Sequence, residues 1–206
     1  MKILRESIPF IAIPMIVAMV SVVLGLWSLA GLCVLVALFM AFFFRDPRRE
    51  PPIDPNVVVA PADGKVTRVV ALDESSGDSP MLISIFLSPL DVHINRAPIP
   101  GTIRDVVYSP GKFLMATNTK ASLVNEQNVL TIQNDEITVV CKQIAGILAR
   151  RIVCWKKKGD NLALGERFGL IKFSSRTDVI LPPDVSVTVA EGQRVRGGVT
   201  VIGRIS

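Results

Sequence analysis

The pattern of hydrophobic and polar residues divides the chain into an apolar N-terminal part and a longer part built of short hydrophobic runs. No charged residue occurs between positions 8 and 44. About twenty apolar residues are enough to cross the hydrocarbon core of a bilayer, so this run is long enough for nearly two crossings. A cleaved signal peptide would be shorter and would end at a small-residue site. The sequence therefore predicts a membrane anchor over residues 1–45.

A break near the middle of the apolar run, between Gly25 and Gly31, favours a transmembrane helical hairpin. Basic residues flank the run on both sides, namely Lys2, Arg5, Arg45, Arg48 and Arg49. By the positive-inside rule both ends lie in the cytoplasm, which places the following domain on the cytoplasmic side of the cell membrane. One long tilted helix, or a hairpin that crosses only in part, is the alternative, because each arm is short for a full span.

A proline-rich connector over residues 46–56 follows, and its four prolines predict a stiff, extended segment. Beyond it, short β-branched runs separated by Gly, Pro, Asn and Asp predict a mainly β domain over residues 57–206, a sandwich or barrel with a few short helices. The predicted strands are 57–60, 64–72, 81–87, 101–108, 128–133, 137–144, 168–173, 179–181, 185–189 and 200–204. The predicted helices are 121–126 and 145–152.

A local pattern occurs twice, over residues 60–66 and 189–195. Each copy places an acidic residue and a glycine, Asp63-Gly64 and Glu191-Gly192, just before a predicted strand. We expect tight turns in which the glycine adopts positive φ. Such turns are common in β-sandwiches of the biotinyl and lipoyl carrier kind, so they indicate a fold and not an activity.

Charge and metal-ligating residues exclude several classes of function. The net charge is +5, but the one lysine cluster, at 156–158, is short and not interleaved with aromatic residues. We therefore expect an anionic lipid surface, and no nucleic acid, as the partner of this charge. Cys33, Cys141 and Cys154 show no CxxC spacing, and Cys141 and Cys154 are expected to be buried free thiols. His93 is the single histidine, so no metal site is predicted.

Four segments carry polar residues in a specific order and spacing. They are 60–64 (APADG), 87–98 (LSPLDVHINRAP), 125–128 (NEQN) and 168–178 (FGLIKFSSRTD). Together they resemble the phosphatidylserine decarboxylase family, in its short, pyruvoyl-dependent type. The resemblance implies a proenzyme that cuts itself before a serine, which becomes the N-terminal pyruvoyl group of a small chain. A cut between Ser174 and Ser175 would give a β chain of residues 1–174 and an α chain of residues 175–206.

The chemistry of decarboxylation agrees with that expectation. Removing CO₂ from an α-amino acid leaves a carbanion, which needs an electron acceptor, and no lysine motif for pyridoxal phosphate can be identified. A ketone made from the chain itself would serve as this electron acceptor. The Oγ of Ser175 would attack the carbonyl carbon of Ser174, and elimination from the resulting ester would leave the pyruvoyl group. That group would then bind the substrate amine as a Schiff base.

The serine hydroxyl needs a base, because it is a weak nucleophile while protonated. His93 is the one imidazole in the chain, and Asp63 is the candidate to hold its other nitrogen, as the third member of a triad does. The resemblance assigns the same roles to these motifs. We also expect His93 to return a proton to the substrate α-carbon after CO₂ leaves, since an unperturbed imidazole, with a pKa of about 6.5, can both take and give a proton at neutral pH.

Two positions depart from the family pattern. The residue before the cleaved serine is usually glycine, and here it is Ser174. A cut before Ser174, with Phe173 as the donor of the carbonyl, is the alternative. The longer bacterial members carry two histidines where this chain has one, with Arg96 near the position of the second. Both proton-transfer roles therefore fall on His93.

Four further residues are candidates for the site. Arg96 and Arg176 are expected to bind the phosphate or carboxylate of the headgroup, because guanidinium groups suit both anions. The alternative for each is a solvated surface arginine. Asn125 and Glu126 are expected, from the resemblance, to line or brace the site, and the alternative is an exposed polar loop.

The resemblance thus implies decarboxylation of phosphatidylserine in the membrane to phosphatidylethanolamine and CO₂. The α and β chains of one precursor would form the protomer, and two protomers could pair. One alternative is a decarboxylase of another serine lipid, such as archaetidylserine. The other is a membrane-anchored β-sandwich adaptor without enzymatic activity.

Overall fold

The structure is a computed structural model that describes residues 2–205 except 74, 76, 77, 117, 119, 148–150 and 174. The chain divides into two compact units, Met1–Arg48 and Arg49–Ser206. The boundary falls within the predicted proline-rich connector.

The first unit is a pair of apolar helices. Its elements are β1 (Lys2–Ile3), a 3-10 helix (Arg5–Ser7), α1 (Ile8–Val23), α2 (Trp27–Phe43) and β2 (Arg45–Asp46). Gly25 turns the chain between the helices with a φ of 72°, a left-handed conformation that glycine adopts readily. Strands β1 and β2 pair antiparallel, with Lys2 opposite Asp46. The two ends of the apolar run therefore meet, and the predicted helical hairpin is confirmed within this unit.

Length and composition suit the continuous helical stretch Arg5–Val23, made of the 3-10 helix and α1, for a membrane span. Among the described residues, Arg5–Val23 is the one helix of at least 18 residues that is apolar enough to cross a bilayer. Helix α2 carries no charged residue, but its 17 residues fall short of that length. Apolar side chains are exposed along both helices, for example Ile13, Met19, Leu32 and Leu35. A helix that is hydrophobic on all sides is typical of a membrane segment.

The second unit is mainly β, as the sequence predicts. Its elements are β3 (Val57–Val59), β4 (Gly64–Ala71), β5 (Met81–Leu87), β6 (Ile94–Arg96), β7 (Gly101–Ser109), α3 (Ala121–Val124), β8 (Gln127–Gln133), β9 (Thr138–Ala145), β10 (Ile152–Cys154), β11 (Asn161–Leu162), β12 (Arg167–Ile171), β13 (Ser175–Leu181), β14 (Val185–Val187), β15 (Arg194–Val195) and β16 (Val201–Ile205). Most predicted strands are confirmed to within one or two residues. Strand β13 is longer than predicted, because it begins at Ser175 and not at Val179.

The strands of this unit form three antiparallel sheets. The large sheet has the order β11-β7-β8-β9-β13-β5-β4-β15, and the smaller ones have the orders β10-β12-β6 and β14-β16-β3. Their inner faces share one core of Val, Ile, Leu and Phe side chains, among them Ile85, Leu130, Phe168 and Ile202. Alternating burial along β8 shows the pattern of a sheet with one face on this core.

The two predicted glycine turns are confirmed, and they lie against each other. Gly64 has a φ of 154° and Gly192 a φ of 89°. The N–H of Gly192 donates to the carbonyl of Val66 at 2.8 Å. A side chain at position 64 would collide with the carbonyl of Phe86 in the neighbouring strand, so this position requires glycine.

Two other expectations are wrong in whole or in part. The predicted helix over 145–152 is wrong, because Ala145 ends β9 and Ile152 begins β10; residues 148–150 of that span lie outside the described residues. Ala145 and Ile152 face neighbouring strands, and strand pairing overrides the local helix preference. Cys141 and Cys154 are free thiols as predicted, but Cys154 is only half-buried, whereas Cys141 is buried.

Candidate active site

The strand register brings the four motif segments to one end of the large sheet. Ser175, the first residue of β13, lies opposite Leu87, the last residue of β5, and opposite Ala145, the last residue of β9. Segment 125–128 runs into β8, whose Gln127 faces Ile144 of β9. Segment 60–64 runs into the start of β4, where Lys65 faces Phe86. We call this the site end of the sheet.

The hydroxyl of Ser175 lies in the interior. Ser175 is fully buried, and its Oγ makes no hydrogen bond with any of the described residues. A buried hydroxyl without a partner costs free energy, so such groups are rare and call for an explanation. Ser174, the other residue of the predicted cleavage site, lies outside the described residues.

The backbone turns sharply just before this position. Phe173 has a φ of 59° and is, among the described residues other than glycine, the one with positive φ. The left-handed conformation costs an L-residue with a side chain about 1–2 kcal/mol. Strain of this kind is found at functional sites, where the surrounding structure holds it in place. Here it lies two residues before the hydroxyl of Ser175.

His93 is buried and its orientation is set by the main chain. Its Nδ1 lies 3.0 Å from the carbonyl oxygen of Asp91. Because a carbonyl can only accept, Nδ1 carries the proton, and Nε2 is the basic nitrogen of the neutral ring. The carbonyl of His93 accepts a bond of 3.2 Å from the N–H of Ile171, four residues before Ser175. The imidazole and the predicted cleavage site are thus anchored on the same short segment.

Asp91 is a residue that the sequence analysis did not single out. Its Oδ2 accepts bonds from the N–H and the Oγ of Ser88, at 2.8 and 2.7 Å. Its Oδ1 lies 3.1 Å from a guanidinium nitrogen of Arg194. These bonds fix the turn from which the Asp91 carbonyl reaches His93. The Ser-x-x-Asp spacing of residues 88–91 is the local sequence signal from which this turn could have been predicted.

Asp63 is held by two donors. Its Oδ2 lies 2.6 Å from Nη2 of Arg49, and its Oδ1 accepts a 2.8 Å bond from the N–H of Gly197. Burial raises the pKa of Asp63, while the charge of Arg49 and the bond from Gly197 lower it, and the charge of Asp91 raises it further. Nδ1 of His93 bonds to the carbonyl of Asp91, so the predicted bond to Asp63 is not made through that nitrogen in this structure. That the Asp63 carboxylate acts on the His93 ring stays a prediction.

Both candidate arginines are buried, so the alternative of solvated surface arginines is wrong. Nη1 of Arg96 donates to the carbonyl of Gly165 at 3.1 Å. Nε and Nη2 of Arg176 donate to the two oxygens of Asp178 at 2.6 and 2.7 Å. This bidentate pair neutralises both charges in a buried position, where an unpaired charge would be costly.

Asn125 and Glu126 brace the strand end opposite Ser175 and do not form an exposed loop. Nδ2 of Asn125 donates to the carbonyls of Ala145 and Leu114, at 2.7 and 2.9 Å, and its Oδ1 accepts from the N–H of Leu114. The N–H of Ala145 donates to the carbonyl of Glu126 at 3.0 Å. Ala145 is the register partner of Ser175, so these bonds hold one wall of the site.

A second group missed from the sequence is a buried chain of hydrogen bonds, which we call the amide ladder: Asn128, Gln143, Asn95 and Thr177. Each donates to the next at 2.9 Å, from Asn128 Nδ2 to Gln143 Oε1, from Gln143 Nε2 to Asn95 Oδ1, and from Asn95 Nδ2 to Thr177 Oγ1. A side chain at Gly169 would press against Gln143, so glycine leaves room for the ladder. The ladder ties β6, which follows His93, to β13, which begins at Ser175.

Comparisons with known proteins agree with these motifs. The family model described as phosphatidylserine decarboxylase matches residues 36–203. A phosphatidylserine decarboxylase proenzyme of Solibacter usitatus (strain Ellin6076) is 54% identical over 171 residues, which cover 83% of this chain and 81% of that protein. The proenzyme of the same name from Geotalea uraniireducens (strain Rf4) is 44% identical over 200 residues, 96% of this chain and 94% of that protein. The chain belongs to the phosphatidylserine decarboxylase family.

Proposed function

We propose that this chain is a proenzyme that cleaves itself and then decarboxylates phosphatidylserine to phosphatidylethanolamine and CO₂. Membership of the family and the names of the relatives support this activity. The relatives named here are phosphatidylserine decarboxylase proenzymes, so the archaetidylserine alternative is not favoured. A purely structural adaptor is disfavoured for the same reason.

The proposed maturation uses the chain's own atoms. Oγ of Ser175 attacks the carbonyl carbon of Ser174, and the acyl group moves from nitrogen to oxygen, so an ester replaces the peptide bond. Loss of the Cα proton of Ser175 then expels the carboxylate of Ser174 and leaves a dehydroalanine. Its hydrolysis releases ammonia and yields the pyruvoyl group at the start of an α chain of residues 175–206. The β chain comprises residues 1–174.

One observation carries this proposal: the buried Oγ of Ser175 has no hydrogen-bond partner among the described residues. A hydroxyl committed to a structural bond would have to give up that bond before it attacked a carbonyl. Ser175 is also fixed on both sides by strand pairing, with Leu87 and with Ala145. The residues present therefore fit a covalent group formed at this position.

His93 is the proposed base for maturation. With its Nδ1 proton directed to the carbonyl of Asp91, Nε2 is the nitrogen that accepts the proton of the Ser175 hydroxyl. Asp63 is the proposed third member, whose carboxylate stabilises the imidazolium that results. The position of this carboxylate is held by Arg49 and Gly197.

The same residues have proposed roles in decarboxylation. The pyruvoyl group supplies a carbonyl that accepts the electrons left behind when CO₂ departs. His93 returns a proton to the substrate α-carbon. Arg96 and Arg176 are the proposed anchors of the headgroup, Arg176 through the guanidinium N–H groups that do not donate to Asp178. Asn125 and Glu126 keep the wall opposite Ser175 in place through Ala145.

The proposed location is the cell membrane, with the second unit on the cytoplasmic side. The apolar hairpin of the first unit and the basic residues next to it in sequence support this location. An anchored enzyme meets phosphatidylserine without extracting it far from the bilayer. The α and β chains of one precursor form the proposed protomer, and pairing of two protomers stays a prediction.

The test is the intact mass of the purified chain and of two variants. The parent should give two fragments, the smaller with a blocked N-terminus that reacts with a carbonyl reagent. Ser175→Ala should give one uncut chain without decarboxylase activity, whereas Ser186→Ala, an exposed serine of the same α chain, should mature like the parent. Cleavage of Ser175→Ala between residues 173 and 174 would instead support the alternative in which Ser174 is the nucleophile.

A further inference from the structure

Exposed apolar side chains surround the site end of the sheet. Leu90, Met115, Leu123 and Ile147 are exposed by 65%, 60%, 78% and 55%. They lie in three connecting segments, 88–93, 110–126 and 146–151, the second of which contains α3 with Leu123. The first follows β5, the second joins β7 to β8, and the third follows β9. All three lie at the end of the sheet where Ser175 begins β13. We call these four residues the apolar rim.

The loops that carry most of the apolar rim are joined to each other. Asn125, at the end of the loop with Met115 and Leu123, donates to the carbonyl of Ala145, two residues before Ile147. Below the surface, Phe113 and Ile152 pack against Ala145 and Ile171. The rim residues are therefore presented by a connected surface and not by independent loop tips.

Charge differs between the two ends of the large sheet. The loops at the site end contain Lys112, Lys120, Arg151 and Lys172, of which the first three are exposed. The acidic residues there are engaged or buried: Asp63 is paired with Arg49, Asp91 accepts from Ser88, and Glu126 is buried.

The described residues of the opposite end, which is formed by segments 72–80, 134–137 and 182–184, include no Lys or Arg. Its described acidic residues are Asp73, Asp78, Asp135, Glu136 and Asp184. An anionic surface would thus attract one end of the sheet and repel the other.

We propose that the apolar rim inserts into the surface of an anionic bilayer, so that the site end of the sheet faces the lipid. This proposal rests on the proposed function, because it supplies the route by which a headgroup reaches Ser175. Exposed Leu, Met and Ile next to cationic side chains are the composition of an interfacial membrane contact. The acidic opposite end sets the orientation, since it is disfavoured next to an anionic leaflet. A protein partner at the rim would need no such difference in charge between the two ends.

The first test places a tryptophan in the rim of the full-length chain. Leu123→Trp and its control Leu72→Trp, an exposed leucine at the acidic end, are reconstituted in phosphatidylcholine vesicles containing phosphatidylglycerol. The emission of the parent, from Trp27 and Trp155, is subtracted. The emission added by Leu123→Trp should be quenched by lipids with brominated acyl chains, and the emission added by Leu72→Trp should not. Equal quenching at both positions, or no quenching at position 123, would overturn the proposal. Absence of quenching at position 123 would favour a protein partner for the apolar rim.

The second test separates the rim from the chemistry. Leu123→Glu should lower decarboxylation of phosphatidylserine in vesicles by about tenfold or more, because a charge replaces a side chain whose burial is worth at least that factor. Its maturation and its activity on a short-chain, monomeric phosphatidylserine should match the parent, and Leu72→Glu should match the parent in all three assays. An equal loss on both substrates would overturn the proposed role of the rim. If the parent itself decarboxylates neither substrate, the proposed function is wrong. The quenching experiment tests membrane contact of the apolar rim independently of that outcome.

Discussion

Asn95 donates a hydrogen bond from Nδ2 to Oγ1 of Thr177 at 2.9 Å, and both side chains are fully buried. Asn95 follows His93 by two residues, and Thr177 follows Ser175 by two. The bond therefore links the strand next to the proposed base to the strand that begins with the proposed nucleophile. With Gln143 and Asn128 it forms the amide ladder, whose energetics can be tested directly.

Gln143→Leu should destabilise the fold by about 2 kcal/mol or more. The change leaves Oδ1 of Asn95 and Nδ2 of Asn128 buried without their present partner, and each unsatisfied group costs roughly 1–3 kcal/mol. Denaturant unfolding of the purified chain measures the loss. Gln133→Leu, at the C-terminal end of the neighbouring strand β8, is the matched control. It removes only an exposed bond with Arg104 and should change stability by less than about 0.5 kcal/mol. Equal stability of the two variants would contradict a structural role for the ladder.

His93→Asn should slow maturation by about 10²–10⁴-fold, the range of general base catalysis, while the fold keeps nearly its parental stability. The asparagine amide can still donate toward the carbonyl of Asp91, but it has no basic nitrogen. The time course of fragment appearance on a denaturing gel gives the rate. Maturation of His93→Asn at the parental rate would remove His93 from the proposed triad.

Asp63 should make the fold less stable as the pH rises from acid to neutral. Burial raises the pKa of Asp63 against the opposing charge of Arg49, so the folded chain binds this proton more tightly than the unfolded chain. Between the unfolded pKa, about 3.9, and the higher folded value, the unfolded state loses the proton first, and stability falls with rising pH.

The measurement is the difference in unfolding free energy between the parent and Asp63→Asn across this pH range. The parent should lose stability relative to the variant as the pH rises. A relative gain would mean that the ion pair with Arg49 outweighs burial, and that the pKa of Asp63 is lowered instead.

Phe173→Val should destabilise the turn before Ser175 more than Phe173→Asn does, by roughly 1 kcal/mol, and should mature more slowly. The φ of 59° at this position is tolerated by asparagine and strongly disfavoured by a β-branched residue. Both variants lose the phenyl ring, so each serves as the control of the other. Stability and maturation rate are measured in parallel, and a valine variant that performs as well as the asparagine variant would argue against a left-handed residue at the site.

Local sequence pattern determined much of this protein. The absence of charge over residues 8–44 and the glycine break determined the helical hairpin, because apolar length and turn chemistry are local properties. The β-branched runs determined most strands, and the motifs determined the family. The order of the motifs also indicated Asp63, His93 and Ser175 as candidate site residues.

Tertiary structure alone decided how the polar residues are used. Ser175, Arg176, Thr177 and Asp178 look like an exposed loop in sequence, yet they begin a buried strand. The burial of Arg176, Thr177 and Asp178 is tolerated because partners come from far along the chain, as Asn95 does for Thr177, or from the same strand face, as Asp178 does for Arg176. Such partners cannot be predicted from local sequence, since the free-energy cost of burying a polar group depends on what lies opposite it in the folded chain.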